Sequence, residues 1–195
     1  NKQLKKTLFK VEEQSADLDS LKDENAQLRQ LLEMKNIYES KKTVSSDVIT
    51  RMPVSWLSEL TVNAGRQNGI QNTMLAVANG GLIGSVKDVA SHSSRVNLLT
   101  NNKNVDNISV RIQTETSTIY GVIVGYSKEK SAFIISQLNS SDTIKKGEKV
   151  VTSGLGTYNI PNIPVGTVLS VTEKYLTKEV FVKPSSDLSD IRVVT

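Results

Sequence analysis

The sequence predicts a mainly β protein in which one long N-terminal α-helix, a coiled coil, is followed by two small antiparallel β-barrels. Three observations lead to this fold class. Residues 2–36 contain no glycine or proline and consist largely of residues that favour or tolerate a helix. From residue 41 onward, short segments rich in Val, Ile and Thr follow one another, as strands do. All 11 glycines and all 4 prolines fall in this second region, where they mark turns.

The predicted helix carries a heptad repeat, which is typical of a coiled coil. With Leu18 placed at position a, the other a positions hold Leu4, Val11, Asn25 and Leu32. The d positions hold Thr7, Gln14, Leu21 and Leu28. Because polar residues occupy the first two d positions, we expect the pairing to weaken toward Asn1. A helix packed on its own barrels would also show an apolar stripe, and this is the alternative.

Two features favour a parallel homodimer. A lone asparagine at an a position, Asn25, can bond to its counterpart across a two-stranded interface, which disfavours other registers and higher oligomers. The g and e charges attract each other between the chains, because Asp17 would face Lys22 and Glu24 would face Arg29. Each such exposed pair contributes roughly 0.2 to 1 kcal/mol. The predicted dimer interface consists of Val11, Asp17, Leu18, Leu21, Lys22, Glu24, Asn25, Leu28, Arg29 and Leu32.

Twelve candidate strands follow the helix. They span residues 44–52, 57–63, 74–78, 82–90, 95–100, 107–113, 118–125, 132–138, 148–153, 165–173, 178–184 and 190–195. An asparagine-rich run at 101–107 is the predicted linker between the barrels. The predicted domains are the helix at 1–42, a first barrel at 43–100 with 168–195, and a second barrel at 101–167.

Composition excludes several classes of function. The chain has no cysteine, which rules out disulfides, thiolate metal sites and a cysteine nucleophile. Its net charge of +4 is small and its lysines are spread among acidic residues, so no nucleic-acid partner is predicted. The sequence shows no histidine cluster, no calcium-loop spacing and no phosphate-loop lysine, so no metal and no cofactor are predicted.

One enzymatic hypothesis arises from three residues. His92, Asp106 and Ser153 follow the chain order of the chymotrypsin-like serine hydrolases, which also contain two barrels. The sequences around His92 and Ser153 favour polar turns instead, and chain order alone fixes no geometry. We therefore predict no catalytic residues and no enzyme. A cytosolic adaptor with a helical dimerisation stalk is a further alternative.

Three glycine-bearing segments are candidates for the barrel edges, the junction between the barrels or a partner contact. They are GGLIG at 80–84, TSGLG at 152–156 and IPVG at 163–166. Turn chemistry alone explains them equally well. The candidate residues are Gly80, Gly81, Gly84, Gly154, Leu155, Gly156, Pro164 and Gly166.

Six blocks of the chain resemble the extracytoplasmic part of the MreC family of rod shape-determining proteins. They are ENAQLRQLL (24–32), VITRMPVSWLSELTVNAGRQNGI (48–70), GGLIGSVKDVASHSSRVNLLTN (80–101), GEKVVTSGLG (147–156), IPVGTV (163–168) and VKPSSDLSDIRVV (182–194). The blocks occur in the family's order over nearly the whole chain, which makes the resemblance specific.

The resemblance implies both a fold and a function. The barrels would be similar to the trypsin-like fold without its catalytic triad. A single transmembrane helix would precede Asn1 and anchor the protein, with this part outside the cytoplasmic membrane. Such proteins are non-enzymatic scaffolds of the cell-wall elongation complex. They are linked to penicillin-binding peptidoglycan synthases, to MreD and to the actin-like MreB, and some members form assemblies larger than dimers.

Overall fold

The structure, a computed structural model, describes residues 2–31 and 43–194. The chain divides into two compact units, residues 1–42 and residues 43–195. The described part of the first unit is a helix, α1, which spans Lys2–Leu31 and is about 45 Å long at 1.5 Å per residue. The side chains of residues 3–24 are all exposed in the single chain. The last part of the predicted helix, including Leu32, lies outside the described residues.

The second unit contains twelve strands, one for each strand that the sequence predicts. Two short 3₁₀ helices, Pro53–Ser55 and Arg66–Asn68, flank β2. The turn between β3 and β4 consists of Asn79 and Gly80, which both have positive φ as a two-residue hairpin requires. The strands are β1 Ser46–Thr50, β2 Glu59–Val62, β3 Leu75–Ala78, β4 Gly81–Val89, β5 Ser94–Leu98, β6 Ser109–Gln113, β7 Thr118–Ser127, β8 Ala132–Ser136, β9 Lys149–Ser153, β10 Pro161–Lys174, β11 Thr177–Pro184 and β12 Val193–Val194.

The first β layer is a curled six-stranded sheet in the order β12-β1-β2-β5-β4-β3. All of its neighbouring strands are antiparallel. Its core is formed by apolar side chains that alternate along the strands, and two more come from the C-terminal end of the chain. These core residues include Leu60, Val62, Ile83, Val96, Leu98, Ile191 and Val194.

The second layer is a closed six-stranded barrel in the order β10-β11-β8-β7-β6-β9. Closure pairs each strand on both sides, so its backbone hydrogen bonds run around a ring. The barrel interior is filled with branched aliphatic side chains and one phenylalanine. They include Ile108, Val110, Ile112, Ile119, Ile123, Phe133, Ile135, Val165, Val180 and Val182.

Strand β4 is shared between the two cores. Leu82 and Ile83 are adjacent in the strand and therefore point to opposite faces of the sheet. Both are fully buried, Leu82 in the core of the closed barrel and Ile83 in the core of the first sheet. Most of β4 is thus covered on both faces, and the strand forms a common wall that fixes the barrels side by side.

The predicted boundary at residue 168 needs a correction. Residue 168 falls in the middle of β10, which continues without interruption to Lys174 and pairs with β9 and β11 of the closed barrel. Val165 and Val168 are both buried in that barrel, so the strand cannot be divided between the two cores. Of the C-terminal strands, only β12 returns to the first sheet, where it pairs with β1.

The close approach of β4 to β5 yields a stability prediction. A β-carbon added to Gly84 would lie 2.0 Å from the carbonyl oxygen of Asn97, so the backbone would have to move. We expect Gly84→Ala to lower the free energy of unfolding by about 2 kcal/mol, as overpacking does. Urea denaturation followed by Trp56 fluorescence measures it.

Gly125→Ala is the matched control, because its added β-carbon would meet only Asn102 Oδ1 at 3.3 Å and Ile134 Cδ1 at 3.9 Å. We expect that substitution to change stability by less than about 1 kcal/mol. Equal losses for the two variants would show that the strands adjust freely at Gly84.

Candidate interaction surfaces

The junction between the barrels is built around one buried carboxylate. Asp106 lies in the segment that connects β5 to β6 and is 6% exposed. Its carboxylate accepts hydrogen bonds from the Ser85 hydroxyl, the Lys87 ammonium, Asn97 Nδ2 at 2.8 Å and the Tyr158 hydroxyl at 3.3 Å. These five side chains, the Asp106 cluster, join the first sheet to the closed barrel.

The fold brings the donors of the Asp106 cluster together from distant parts of the chain. Ser85 and Lys87 are two residues apart on β4 and therefore point to the same face. Asn97 lies opposite Ser85 on β5, in register with it. Tyr158 comes from the closed barrel, in the segment between β9 and β10, and is 9% exposed. Both barrels thus contribute donors to the same acceptor.

The Asp106 cluster keeps its ion pair charged at neutral pH. Burial raises the pKa of the Asp106 carboxyl, but hydrogen bonds from Lys87, Ser85 and Asn97 outweigh that effect and hold the pKa below its usual value. Burial lowers the pKa of Lys87, yet the hydrogen bonds with Asp106 and Tyr158 outweigh it and leave that pKa raised. The pairing therefore stabilises both charged forms.

The structure does not bring the proposed triad together. His92 is exposed in the turn between β4 and β5, and the β5 residues from Ser94 to the Asn97 that contacts Asp106 span roughly 10 Å. Ser153 ends β9, and its hydroxyl accepts a hydrogen bond from the Leu155 amide at 3.3 Å. Among the described residues, the hydrogen-bond donors to the Asp106 carboxylate are the other four members of the Asp106 cluster and do not include His92. The hydrolase hypothesis has no geometric support.

The GGLIG segment lies at the start of the shared strand β4. Gly80 occupies the preceding turn with φ of 79°. A β-carbon on Gly81 would come within 2.8 Å of the Ser186 amide and 2.9 Å of Ser185 Cβ, so only glycine lets the segment after β11 approach. Gly84 permits the approach of β5 described above. The proposed role of this segment in the junction stays a prediction.

The other two glycine-bearing segments lie in the closed barrel. Gly154 and Gly156 have φ of 76° and 82° in the turn after β9, and Leu155 between them is 58% exposed. This turn precedes Tyr158 of the Asp106 cluster. In β10, Pro164 is exposed, whereas a β-carbon on Gly166 would lie 2.0 Å from the Lys183 carbonyl oxygen. Close strand pairing requires glycine at 166, and a partner contact at these segments also stays a prediction.

Residues of the predicted coiled-coil seam are exposed on α1. Val11, Leu18 and Leu21 are 55%, 53% and 62% exposed, a large fraction for aliphatic side chains. The charged Asp17, Lys22 and Glu24 are exposed as well. The side chains of Asn25, Leu28 and Arg29 are outside the described part of the structure, as is Leu32 altogether. The parallel pairing stays a prediction.

The structure shows an exposed apolar stretch that sequence reasoning missed. It runs from Ile49 near the end of β1 into the connection to β2 and includes five large apolar side chains, which we call the Trp56 patch. Their exposed fractions are 55% for Ile49, 59% for Met52, 97% for Val54, 42% for Trp56 and 38% for Leu57. The sequence signal is RMPVSWL, an apolar run around a proline that matches neither strand nor helix periodicity.

Side-chain contacts hold the backbone at Trp56 and Leu57 in place although the Trp56 patch is exposed. The Arg51 guanidinium stacks on the Trp56 ring at 4.0 Å and donates two hydrogen bonds to the Trp56 carbonyl oxygen. Its remaining donors reach the carbonyl oxygens of Leu188 at 2.7 Å and Ser189 at 3.2 Å. The Thr100 hydroxyl also donates to the Leu57 carbonyl oxygen. The loop is therefore ordered before any partner arrives.

Two further properties concern metals and membranes. In the ranges 2–31 and 43–194, no group of three or more His, Asp or Glu side chains could hold a metal ion. Over the same described part of the chain, no helix combines the length and the apolar character needed to span a membrane.

A family model matches the barrel region. The model described as rod shape-determining protein MreC, barrel core, matches residues 48–195. The chain belongs to the MreC family. The cell shape-determining protein MreC of Streptococcus pneumoniae (strain ATCC BAA-255 / R6) is 54% identical over 173 residues, which cover 88% of the chain and 64% of that relative. The chain thus spans less than two thirds of this relative's length.

Solved MreC structures share the fold. The major periplasmic domain from the cell shape-determining filament MreC (monoclinic form) is 53% identical, with a TM-score of 0.74 over 78% of this chain and 95% of that chain. MreC from Listeria monocytogenes is 30% identical and has a TM-score of 0.85, and the match covers 100% of this chain and 93% of that chain. A matching chain in a complex between penicillin-binding protein PBP2 and MreC from Helicobacter pylori is 18% identical and has a TM-score of 0.59. The match covers 78% of this chain and 96% of that chain, and it shows the shared fold alone. The predicted family and two-barrel fold are confirmed.

The buried ion pair of the junction yields a prediction with a pH dependence. Lys87→Met leaves the Asp106 carboxylate buried without its cation, and we expect a loss of about 2 kcal/mol at pH 7, less than for a fully buried pair because Lys87 is 34% exposed. The lowered pKa of Asp106 means that its stabilisation is complete above about 3.9 and is lost as the pH falls through the folded-state pKa. The difference between wild type and Lys87→Met should therefore shrink below about pH 4. Denaturation curves across pH measure it.

The control is the exposed pair Arg95–Asp88 in the same hairpin, whose side chains are 49% and 64% exposed. Arg95→Met should cost less than about 1 kcal/mol. If Lys87→Met behaves like Arg95→Met at every pH, the junction does not depend on the buried charge pair.

Proposed function

We propose that this chain is the extracytoplasmic part of a non-enzymatic scaffold of the bacterial cell-wall elongation complex, which maintains rod shape. In this proposal a transmembrane helix upstream anchors the protein in the cell membrane, α1 pairs two copies, and the barrels dock peptidoglycan synthases. The observation that supports the docking function best is the exposed Trp56 patch, whose Trp56 end is held by Arg51. Family membership and the periplasmic location of the MreC domain in the solved relative support the setting.

The Trp56 patch has the composition of a binding hot spot. Tryptophan and arginine dominate the energetics of protein interfaces, and methionine is enriched in them. Arg51 and Trp56 form a stacked pair here, beside Met52 and Val54. The five side chains fall within nine consecutive residues, 49–57, and clustered apolar exposure of this kind marks interaction sites. Because Arg51 already orders the loop, a partner would lose little binding energy to ordering it.

A penicillin-binding synthase is the proposed partner of the barrels. The Helicobacter pylori relative forms a complex with PBP2, and a shared barrel fold makes a synthase of that type the natural occupant. Links to MreD and to MreB belong to the same proposal through the family resemblance. In each case the role of this chain is to bind and position.

Pairing through α1 would raise the strength of docking. A helix of 30 residues with exposed leucines is poorly stabilised on its own in water and gains burial by pairing. Two paired chains would present two Trp56 patches at once. Bivalent display can raise avidity by about 10² to 10⁴ where geometry permits both contacts, so weak single contacts suffice.

Docking through the Trp56 patch predicts a loss of synthase binding in Val54→Asp. Val54 is 97% exposed, so the new carboxylate should leave folding intact while it opposes an apolar contact. We expect the Kd for the extracytoplasmic part of a PBP2-type synthase to rise at least about tenfold. Surface plasmon resonance measures it.

Leu176→Asp is the matched control, since Leu176 is 101% exposed at the tip of the β10–β11 hairpin. It should leave the Kd unchanged. A Kd that is unaffected by Val54→Asp but raised by Leu176→Asp would move the docking surface to the closed barrel.

Pairing through the seam predicts that Leu18→Asp together with Leu21→Asp gives a monomer. Charges at one a and one d position would be buried in the interface, which unpaired carboxylates oppose. Analytical ultracentrifugation measures the mass, and the thermal midpoint of the barrels should be unchanged because they form a separate unit.

Ala16→Asp with Ser20→Asp adds the same charge at positions f and c, away from the seam, and should keep the dimer. A wild-type mass for the Leu18/Leu21 variant would contradict the assigned register.

A further inference from the structure

Charge is segregated along α1 in a way that the coiled coil does not require. Residues 1–11 contain four lysines, at 2, 5, 6 and 10, and no acidic residue. Residues 12–24 contain six acidic residues and one lysine. Residues 25–195 contain basic and acidic side chains side by side. The first three turns of the helix are therefore an isolated basic segment. A uniformly solvated helix would need no such division.

The same segment carries apolar side chains that the predicted seam does not use. Leu8 and Phe9 fall at positions e and f, where a two-stranded coiled coil does not bury them. They are 60% and 68% exposed. The d positions of this region hold Thr7 and Gln14, so the seam is weakest where the unused apolar residues lie. The pairing therefore leaves these turns free to bind something else.

These residues together form a basic amphipathic surface. At 3.6 residues per turn, Phe9 lies about 40° from Lys5 and about 60° from Lys6 around the helix axis, and Leu8 lies about 60° from Lys5 on its other side. Leu4 and Val11 belong to the predicted seam, so Lys5, Lys6, Leu8 and Phe9 form a mixed basic and apolar face outside it. Helices on which lysines flank apolar side chains bind membrane interfaces, where lysine stems extend along the apolar region and ammonium groups reach the headgroups.

We propose that the segment Lys2–Val11 binds the surface of an anionic phospholipid membrane. Lysine ammonium groups pair with headgroup phosphates while Leu8 and Phe9 enter the acyl boundary. The two observations are independent, because the charge alone would suit any polyanion and the apolar side chains alone would suit any apolar partner. The inference goes beyond the proposed function and relies on it only for placing the segment beside a membrane.

The test is sedimentation of the 195-residue chain with vesicles that contain phosphatidylglycerol. We expect binding that weakens as salt rises, and none to pure phosphatidylcholine vesicles. Each lysine near an anionic surface strengthens binding about fivefold. Replacing Lys5, Lys6 and Lys10 by Glu should therefore weaken binding more than about a hundredfold.

Two variants separate this proposal from general attraction of a basic protein. Replacing Lys145, Lys146 and Lys149 by Glu changes the net charge equally on exposed barrel residues and should weaken binding by less than about fivefold. Leu8→Ser with Phe9→Ser should weaken vesicle binding at least about tenfold but leave binding to soluble polyphosphate unchanged. Equal effects of the two lysine sets, or no effect of the apolar pair, would overturn the proposal.

A spectroscopic readout checks insertion directly. Phe9→Trp in a Trp56→Phe background places the only tryptophan in the segment. Its emission should shift to shorter wavelength on phosphatidylglycerol vesicles and be quenched by brominated lipid. An unshifted spectrum in the vesicle-bound protein would also overturn the proposal. None of these measurements involves a synthase. Membrane binding can therefore be disproved while docking through the Trp56 patch is confirmed, and docking can be disproved while membrane binding is confirmed.

Discussion

The relative orientation of the two barrels depends on the buried carboxylate of Asp106. An ionised carboxylate inside a protein is strongly unfavourable unless charged and polar donors surround it. Here the donors come from β4, from β5 and, through Tyr158, from the closed barrel. The hydrophobic effect has no preferred direction, whereas these hydrogen bonds have fixed distances and directions. The cluster thus selects one packing of the barrels, and the shared strand β4 supplies the apolar contact that the selected packing buries.

A fixed pair of barrels suits the docking role proposed above. The closed barrel uses all of its strands internally, so its edges offer no template for unwanted pairing. Exposed apolar side chains in this unit lie mainly in the Trp56 patch and in turns such as those at Leu155 and Leu176. Arg51 illustrates the balance at the Trp56 patch, since it covers one face of the indole and leaves the neighbouring side chains accessible. Such a surface can bind a partner and remain soluble.

Local sequence patterns predict the helix and the strands well, because neighbouring residues largely determine where a helix, a strand or a turn forms. All twelve strands follow from alternation and turn residues, and the Asn79-Gly80 turn has the positive φ values that its composition predicts. The boundary at 168 failed because β10 is one uninterrupted strand and no local signal says which core a strand joins. The Asp106 cluster was also beyond local reasoning, since Ser85 and Tyr158 are 73 residues apart and meet only in the folded chain. Sequence order suggested a catalytic aspartate where packing makes a structural one.

The return of the last strand to the first determines when each barrel can be completed. Strands β6 to β11 are contiguous in the chain, so the closed barrel can form from a single stretch of nascent polypeptide. The first sheet must wait, because β1 lacks its outer neighbour until β12 has emerged almost 150 residues later. Removal of the final few residues, which include β12, would therefore disrupt the first sheet, although most of that sheet is synthesised before the closed barrel. Strand β1 would then become an open edge.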